Sequence, residues 1–134
     1  MSQIAENHSD VKTEGFRVYS ESFYIHDRST PMRGLYFFGY KISITNEGDT
    51  AARLLRRHWM ISDILGHEEE AKGDGVVGEQ PRILPGGSYE YTSFCPLPAY
   101  QGTMVGTYTM ARDDGSEFDI AVGPLRLLVR PVLN

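Results

Sequence analysis

The sequence predicts one all-β domain, a sandwich built from about seven to eight short strands. Three observations carry that expectation. Apolar and polar residues alternate with a period of two in segment after segment. Turn-forming clusters, Asn46-Glu47-Gly48-Asp49, Leu84-Pro85-Gly86-Gly87 and Asp113-Asp114-Gly115, separate those segments at short intervals. No stretch sustains the about 3.6-residue apolar period of a helix. Eight Tyr and six Phe supply side chains suited to half-buried pleated surfaces.

Taken in order, residues 1–14 hold few large apolar side chains and read as a disordered lead-in to a folded domain over 15–134. The first strand, from Phe16 to His26, is irregular. Val18 and Phe23 have opposite parity, which points to a β-bulge or a change of sheet. Leu35 to Asn46 is the clearest strand, with Tyr36, Phe38, Tyr40, Ile42 and Ile44 as its core face. The next runs from Ala52 to Asp63, with Leu55, Arg57, Trp59 and Ile61 on one face and Arg56, His58 and Met60 on the other. After a turn at Asp63 to Gly66, Glu68 to Ala71 reads as a short strand leading into a glycine-rich stretch, Gly73 to Gly78. Pro81 bars a helix from starting there.

Tyr89, Tyr91 and Ser93 mark another strand, and Pro96 and Pro98 bracket an expected loop from Cys95 to Gln101. Met104, Gly106, Tyr108 and Met110 alternate in the strand that follows. The Asp-Gly turn, which tolerates positive φ, returns it as Phe118, Ile120 and Val122. Leu125, Leu127 and Val129 form the last strand, with Arg126 and Arg130 facing water.

A chain of 134 residues fits one domain and buries a core large enough to fold without a metal or disulfide. The net charge of −5 argues against a non-specific nucleic-acid binder, which needs a clustered basic surface. The one local concentration of base, Arg53, Arg56, Arg57 and His58, reads as the solvated side of a strand. The single cysteine, Cys95, allows no intrachain disulfide and fits a reducing compartment. Residues 1–14 lack the apolar segment of a signal peptide, and no apolar run approaches the roughly 18 residues of a membrane span. The expectation is a cytoplasmic protein with neither membrane nor nucleic acid as partner.

Gly73-Asp74-Gly75-Val76-Val77-Gly78 matches G-x-G-x-x-G. In dinucleotide-binding domains these glycines let the backbone approach a pyrophosphate at a helix N-terminus. No helix is expected here, which removes that reading. Two others stay open. The glycines supply positive φ in a tight connection, or they form a backbone nest for phosphate. The candidate ligand-binding residues are Gly73, Gly75 and Gly78, with Lys72 and Arg82 to neutralise charge; Asp74 and Glu79 would repel an anion.

For metals, His58, His67, Glu68, Glu69, Glu70, Asp113 and Asp114 show no ligand spacing, so no metal and no cofactor is expected; Mg and Co gain no support from the residues. Cys95 reads as a small buried residue rather than a nucleophile, and Trp59 as core. No catalytic residue is assigned and no enzyme is expected.

Taken together, these residues resemble the ApaG (CorD) family. The resemblance spans about Phe16 to Arg130. Its blocks are Arg57-His58-Trp59, the run Gly73 to Pro81, Leu84-Pro85-Gly86, Tyr91-Thr92-Ser93 with Cys95-Pro96-Leu97, Gly102-Thr103-Met104 and Gly106-Thr107-Tyr108. It implies a fibronectin type III-like, immunoglobulin-like sandwich of two antiparallel sheets. It implies a mostly bacterial protein with related domains fused into eukaryotic F-box and polymerase-interacting proteins, settings of protein–protein interaction. It also carries a genetic link to cobalt and magnesium tolerance and to diadenosine-polyphosphate metabolism, and a suggestion that the glycine motif binds pyrophosphate. The first expectation for function is a non-enzymatic module that docks on an unknown protein partner. The alternative is binding of a pyrophosphate-bearing small molecule, a nucleotide or diadenosine polyphosphate, through Gly73 to Gly78. The oligomeric state is left open.

Overall fold

The computed structural model describes residues 7–129. They form nine strands: β1 (His8–Thr13), β2 (Phe16–Tyr24), β3 (Tyr36–Asn46), β4 (Ala52–Asp63), β5 (Glu68–Asp74), β6 (Arg82–Ile83), β7 (Ser88–Leu97), β8 (Gln101–Arg112) and β9 (Glu117–Leu128). Among the described residues the only helical turns are two three-residue 3-10 segments, His26–Arg28 and Pro31–Arg33. All strand pairs are antiparallel, in one sheet ordered β1-β2-β3-β7 and another ordered β5-β4-β8-β9, with β6 also on β4. The all-β sandwich expected from the sequence is the fold.

The core lies where period-two faces meet. Phe38, Tyr40, Ile42 and Ile44 of β3 are buried, as their alternation predicts. They face Leu54 and Trp59 of β4, Tyr108 and Met110 of β8, and Ile120 and Val122 of β9. Each large apolar side chain taken out of water contributes roughly 1.5–3 kcal/mol.

Four local expectations change. The lead-in expected to be disordered instead forms β1 over His8–Thr13, while residues 1–6 lie outside the described residues. Val11 is the one large apolar residue in β1, so composition hides a strand held by backbone pairing to β2 and by ion pairs of Arg17 with Asp10 and Lys12 with Glu47. Second, β2 pairs with β3 in unbroken register and has no bulge. Ser20 and Ser22 take the buried positions and Phe23 lies on the outer face, which explains the parity of Val18 and Phe23.

The bulges fall elsewhere. One sits in β4 between Leu54 and Arg56, so Ala52 and Leu54 before it share the core face with Trp59 after it. Another, where β8 pairs with β9 between Met104 and Gly106, joins the two expected strands into β9 and brings Val122 and Leu125 onto one face. Third, β5 continues past Ala71 to Asp74. Finally, β7 runs through Pro96 to Leu97, where a loop was expected. Among the described residues β7 pairs only with β3, and an edge strand tolerates a proline whose missing N–H faces outward.

The two long sides of the sandwich differ. On one, β9 of the second sheet lies against β1 and β2 of the first: Ser22 Oγ donates to Arg126 O at 2.5 Å, and Ala121 N–H to Thr13 Oγ1 at 3.2 Å. On the other, β5 and β7 are both outermost strands.

Candidate functional site

The glycine loop sits at the end of β5, next to that second side. Gly73 and Asp74 belong to β5 and pair with Arg57 and Arg56 of β4. Beyond them the chain makes a tight hairpin in which Val76 N–H donates to Glu79 O at 2.8 Å and Glu79 N–H returns to Val76 O at 2.9 Å. Its tip, Val77 and Gly78, has φ of 44° and 81°. Gly75 has φ of 63°, and a Cβ there would overlap the Glu79 carbonyl oxygen. Its own N–H is taken by Leu55 O at 2.7 Å.

Arg57 explains why the loop is shaped this way. Its side chain crosses the backbone of Gly73, where a Cβ would come within 2.7 Å of the guanidinium. The guanidinium then donates to Asp74 O at 3.1 Å and Gly75 O at 2.8 Å. The loop therefore turns carbonyls, not N–H groups, toward the nearest cation. The free donors of the hairpin are the tip N–H groups of Val77 and Gly78.

The two expected charge partners are not brought together. Lys72 pairs opposite His58 and Arg82 opposite Arg53. Their partners on β4 are five positions apart with the bulge between them, a span that covers four positions of β8, about 13 Å at the usual strand rise of about 3.3 Å per residue. Arg82 is engaged with Asp113 through two hydrogen bonds, 3.0 and 2.6 Å, which hold that carboxyl below its usual range. Lys72 lies 3.8 Å from Glu70, whose carboxylate also meets His58 Nε2 at 2.6 Å. The hydrogen bond from His58, then the charge of Lys72, lowers the Glu70 pKa. A shallow depression of 410 Å³ on this outer face gathers Arg56, His58 and Lys72 with Asp74 and Asp119. Arg56 is itself bound to Glu117 at 2.6 Å, so little positive charge is left uncompensated.

The open side between β5 and β7 carries a cleft of 260 Å³. Tyr40, Arg57, Trp59 and Ile61 contribute to its lining, with Glu69 and Ala71 of β5 on one wall and Ser93 and Cys95 of β7 on the other. Trp59 is 2% exposed, and its buried indole N–H has no hydrogen-bond partner among the described residues. The sequence reading of Trp59 as core holds, but the orphaned donor and its position beside a cleft were not legible. Burial, with the nearby Glu69 charge, pushes the Cys95 thiol up to about 12, so it stays protonated at neutral pH. Among the described residues no three His, Cys, Asp or Glu side chains are placed to hold a metal ion. No helix there is long and apolar enough to cross a membrane.

An antiparallel sandwich with a bulged β4, an Arg57-braced glycine hairpin and an open β5–β7 side defines a β-sandwich domain. Residues 26–112 match the family model described as the ApaG domain. The chain is 46% identical over 126 residues to Protein ApaG of Anaeromyxobacter dehalogenans (strain 2CP-C), covering 94% of this chain and 99% of the relative. It is 49% identical over 110 residues to Protein ApaG of Paramagnetospirillum magneticum, covering 82% and 85%. The crystal structure of the putative ApaA protein from Bordetella pertussis superposes with a TM-score of 0.84 at 34% identity, covering 96% of this chain and 100% of that one. The chain belongs to the ApaG family.

Proposed function

We propose that this domain is a non-enzymatic docking module for another protein. The observation that supports it best is the open side, where two outermost strands, β5 and β7, flank a partly apolar cleft. Unpaired strand edges present backbone donors and acceptors that an extended partner satisfies by strand addition. The charged groups of the outer faces are largely paired with one another, and the one thiol is buried and protonated. In this reading the family's link to cobalt and magnesium tolerance is exerted through a partner.

The test is a photo-crosslinking residue placed at Thr92 in β7 or Glu70 in β5, with a control at Asp114 in the β8–β9 turn, expressed in the source cell. Discrete adducts from the edge positions, identified by mass and reconstituted from purified components, support docking. Absence of adducts, or the same diffuse set from all three positions, refutes it.

A second reading is pyrophosphate binding at the glycine hairpin. It is favoured by the N–H groups of Val77 and Gly78, adjacent residues of positive φ that form an outward-facing tip. In this reading Lys72 and Arg82, each turned to a carboxylate, are not the charge partners of the diphosphate. An amide-resolved titration with pyrophosphate and a diadenosine polyphosphate, with and without Mg²⁺, decides it. Saturable shifts centred on residues 75–79 support the site; unmoved peaks at millimolar ligand remove it.

A further inference from the structure

The parity of the β3–β7 ladder says which backbone groups face outward. Asn46 N–H donates to Gly87 O at 2.9 Å, and the register runs on without a slip through Ile44↔Tyr89, Ile42↔Tyr91 and Tyr40↔Ser93. In an antiparallel pair, bonded and non-bonded positions alternate. The odd positions of β7 therefore bond β3, and the N–H and C=O groups of Glu90, Thr92 and Phe94 point away from the sheet. Pro96, next in that series, ends the row of donors. The β5 edge is less free, because Arg57 already occupies the Asp74 carbonyl.

A strand added to β7 would place alternate side chains over the cleft. The opposite wall there is Glu69 and Ala71, successive inward positions of β5 that pair with Ile61 and Trp59. Ala71 and Ile61 offer an apolar surface. Glu69 offers a carboxylate on the inner face with no cation within ion-pair distance among the described residues, while Arg57, the cation that also lines the cleft, is turned to the Asp74 and Gly75 carbonyls at the Gly73 end. The outward side chains of the added strand would continue a row of aromatics: Phe94 is 49% exposed and packs tilted against Phe37, with Arg28 over the Phe37 ring at 4.6 Å.

A second copy cannot offer its own β7 as the inserted strand. The inward residues of its own β7, Tyr91 and Cys95, are 7% and 5% exposed in their own core and cannot be offered to a neighbour's cleft.

We propose that the open side receives an extended segment of another protein, hydrogen-bonded to Glu90, Thr92 and Phe94 of β7. That segment carries an aliphatic residue and a Lys or Arg at alternate inward positions, opposite Ala71 and Glu69. The proposal rests on the docking reading above and specifies its surface and its ligand.

The probe is a display library of random octapeptides selected against the full chain. Enriched peptides are then synthesised and titrated into ¹⁵N-labelled protein. The chain has one tryptophan, so the indole N–H of Trp59 gives a single resolved signal. The expected result is an aliphatic–any–basic pattern, with shifts at residues 90–94 and at the Trp59 indole. Thr92→Pro removes one outward donor on an edge strand, and Glu69→Lys reverses the inner charge. Each is expected to weaken binding about tenfold while thermal unfolding shows both variants folded.

Peptides that bind with shifts confined to another surface overturn this site and leave docking standing. Peptides that bind without a basic residue, or equally well to both variants, overturn the stated chemistry. A dimer in sedimentation that Thr92→Pro dissolves overturns the proposal in favour of self-pairing. Failure to enrich any peptide overturns it as well, and the crosslinking experiment then decides whether docking itself fails.

Discussion

The buried hydroxyl pair of Tyr91 and Tyr108 gives a quantitative test of how the two sheets are joined. The two oxygens lie 2.5 Å apart; Tyr91 is 7% exposed and Tyr108 fully buried. Burial raises the pKa of both phenols, so both are protonated and one donates to the other. Tyr91→Phe leaves the Tyr108 hydroxyl in the core with no partner. That costs the net hydrogen bond and the desolvation of an unsatisfied group, about 1–3 kcal/mol.

Tyr108→Phe strands the Tyr91 hydroxyl instead, which retains slight access to water, so its cost is expected to be the smaller of the two. The double variant removes both polar groups and leaves two rings in an apolar core. It is expected to be no less stable than Tyr91→Phe alone, giving a coupling energy of about 1–3 kcal/mol. Urea unfolding reads this directly. With an m-value of about 2 kcal/mol/M, a loss of about 2 kcal/mol moves the midpoint by about 1 M. If the double variant loses the sum of the two singles, the hydroxyls act independently and the pairing argument is wrong.

Three further outcomes are expected. Stability should decline as pH rises above about 9. The usual thiol pKa of 9.0 is raised to about 12 for Cys95, and burial raises Tyr40, Tyr91 and Tyr108 from 10.0. The unfolded chain therefore loses these protons first, and the stability held in full below those ordinary values drains away through the folded ones. Urea midpoints at about pH 8 and about pH 11 measure it, and Cys95→Ala should delay the onset.

Gly75→Ala should lower the melting temperature more than Gly78→Ala. Both positions have positive φ, at about 1–2 kcal/mol for a side chain, but only the Gly75 Cβ also meets backbone, at Glu79 O. Equal shifts would show that the hairpin relaxes freely. Asn46 is fully buried, donating from Nδ2 to Thr50 O at 2.9 Å and Ile83 O at 3.1 Å and accepting from Gly48 N–H at 2.9 Å. Asn46→Ala should cost about 2–4 kcal/mol. Asn46→Asp should cost more at neutral pH, where a carboxylate faces two carbonyls, and recover on acidification; calorimetry at both pH values checks the sign.

What was legible in the sequence is what local patterning determines. Period-two alternation located β3, the buried half of β4, β7, β8 and β9, because a strand with one buried face must alternate. Asn46 to Asp49 and Asp113 to Gly115 were legible as turns, because their residues tolerate the required backbone angles. β1 was not, since an edge strand with Val11 as its one large apolar side chain is held by pairing rather than by burial. The bulges in β4 and β9 were also hidden: a single extra residue is visible only against a partner strand.

The candidate site shows the same division. The sequence marked Gly73 to Gly78 as a place where glycine is needed, and it is at Gly75, where φ is positive and a Cβ would meet the Glu79 carbonyl. Which groups the loop presents was decided by Arg57, which takes the Asp74 and Gly75 carbonyls, and by the pairing of β5 to β4. Which strands remain at the edges, and that β5 and β7 share one open side while β1, β2 and β9 close the other, depends on contacts between residues about a hundred positions apart, such as Ser22 with Arg126. Alternation along a strand reports which face is buried and carries no information on which neighbour lies at its edge. The fold class therefore belongs to the sequence, and the open edge with its cleft belongs to the tertiary structure.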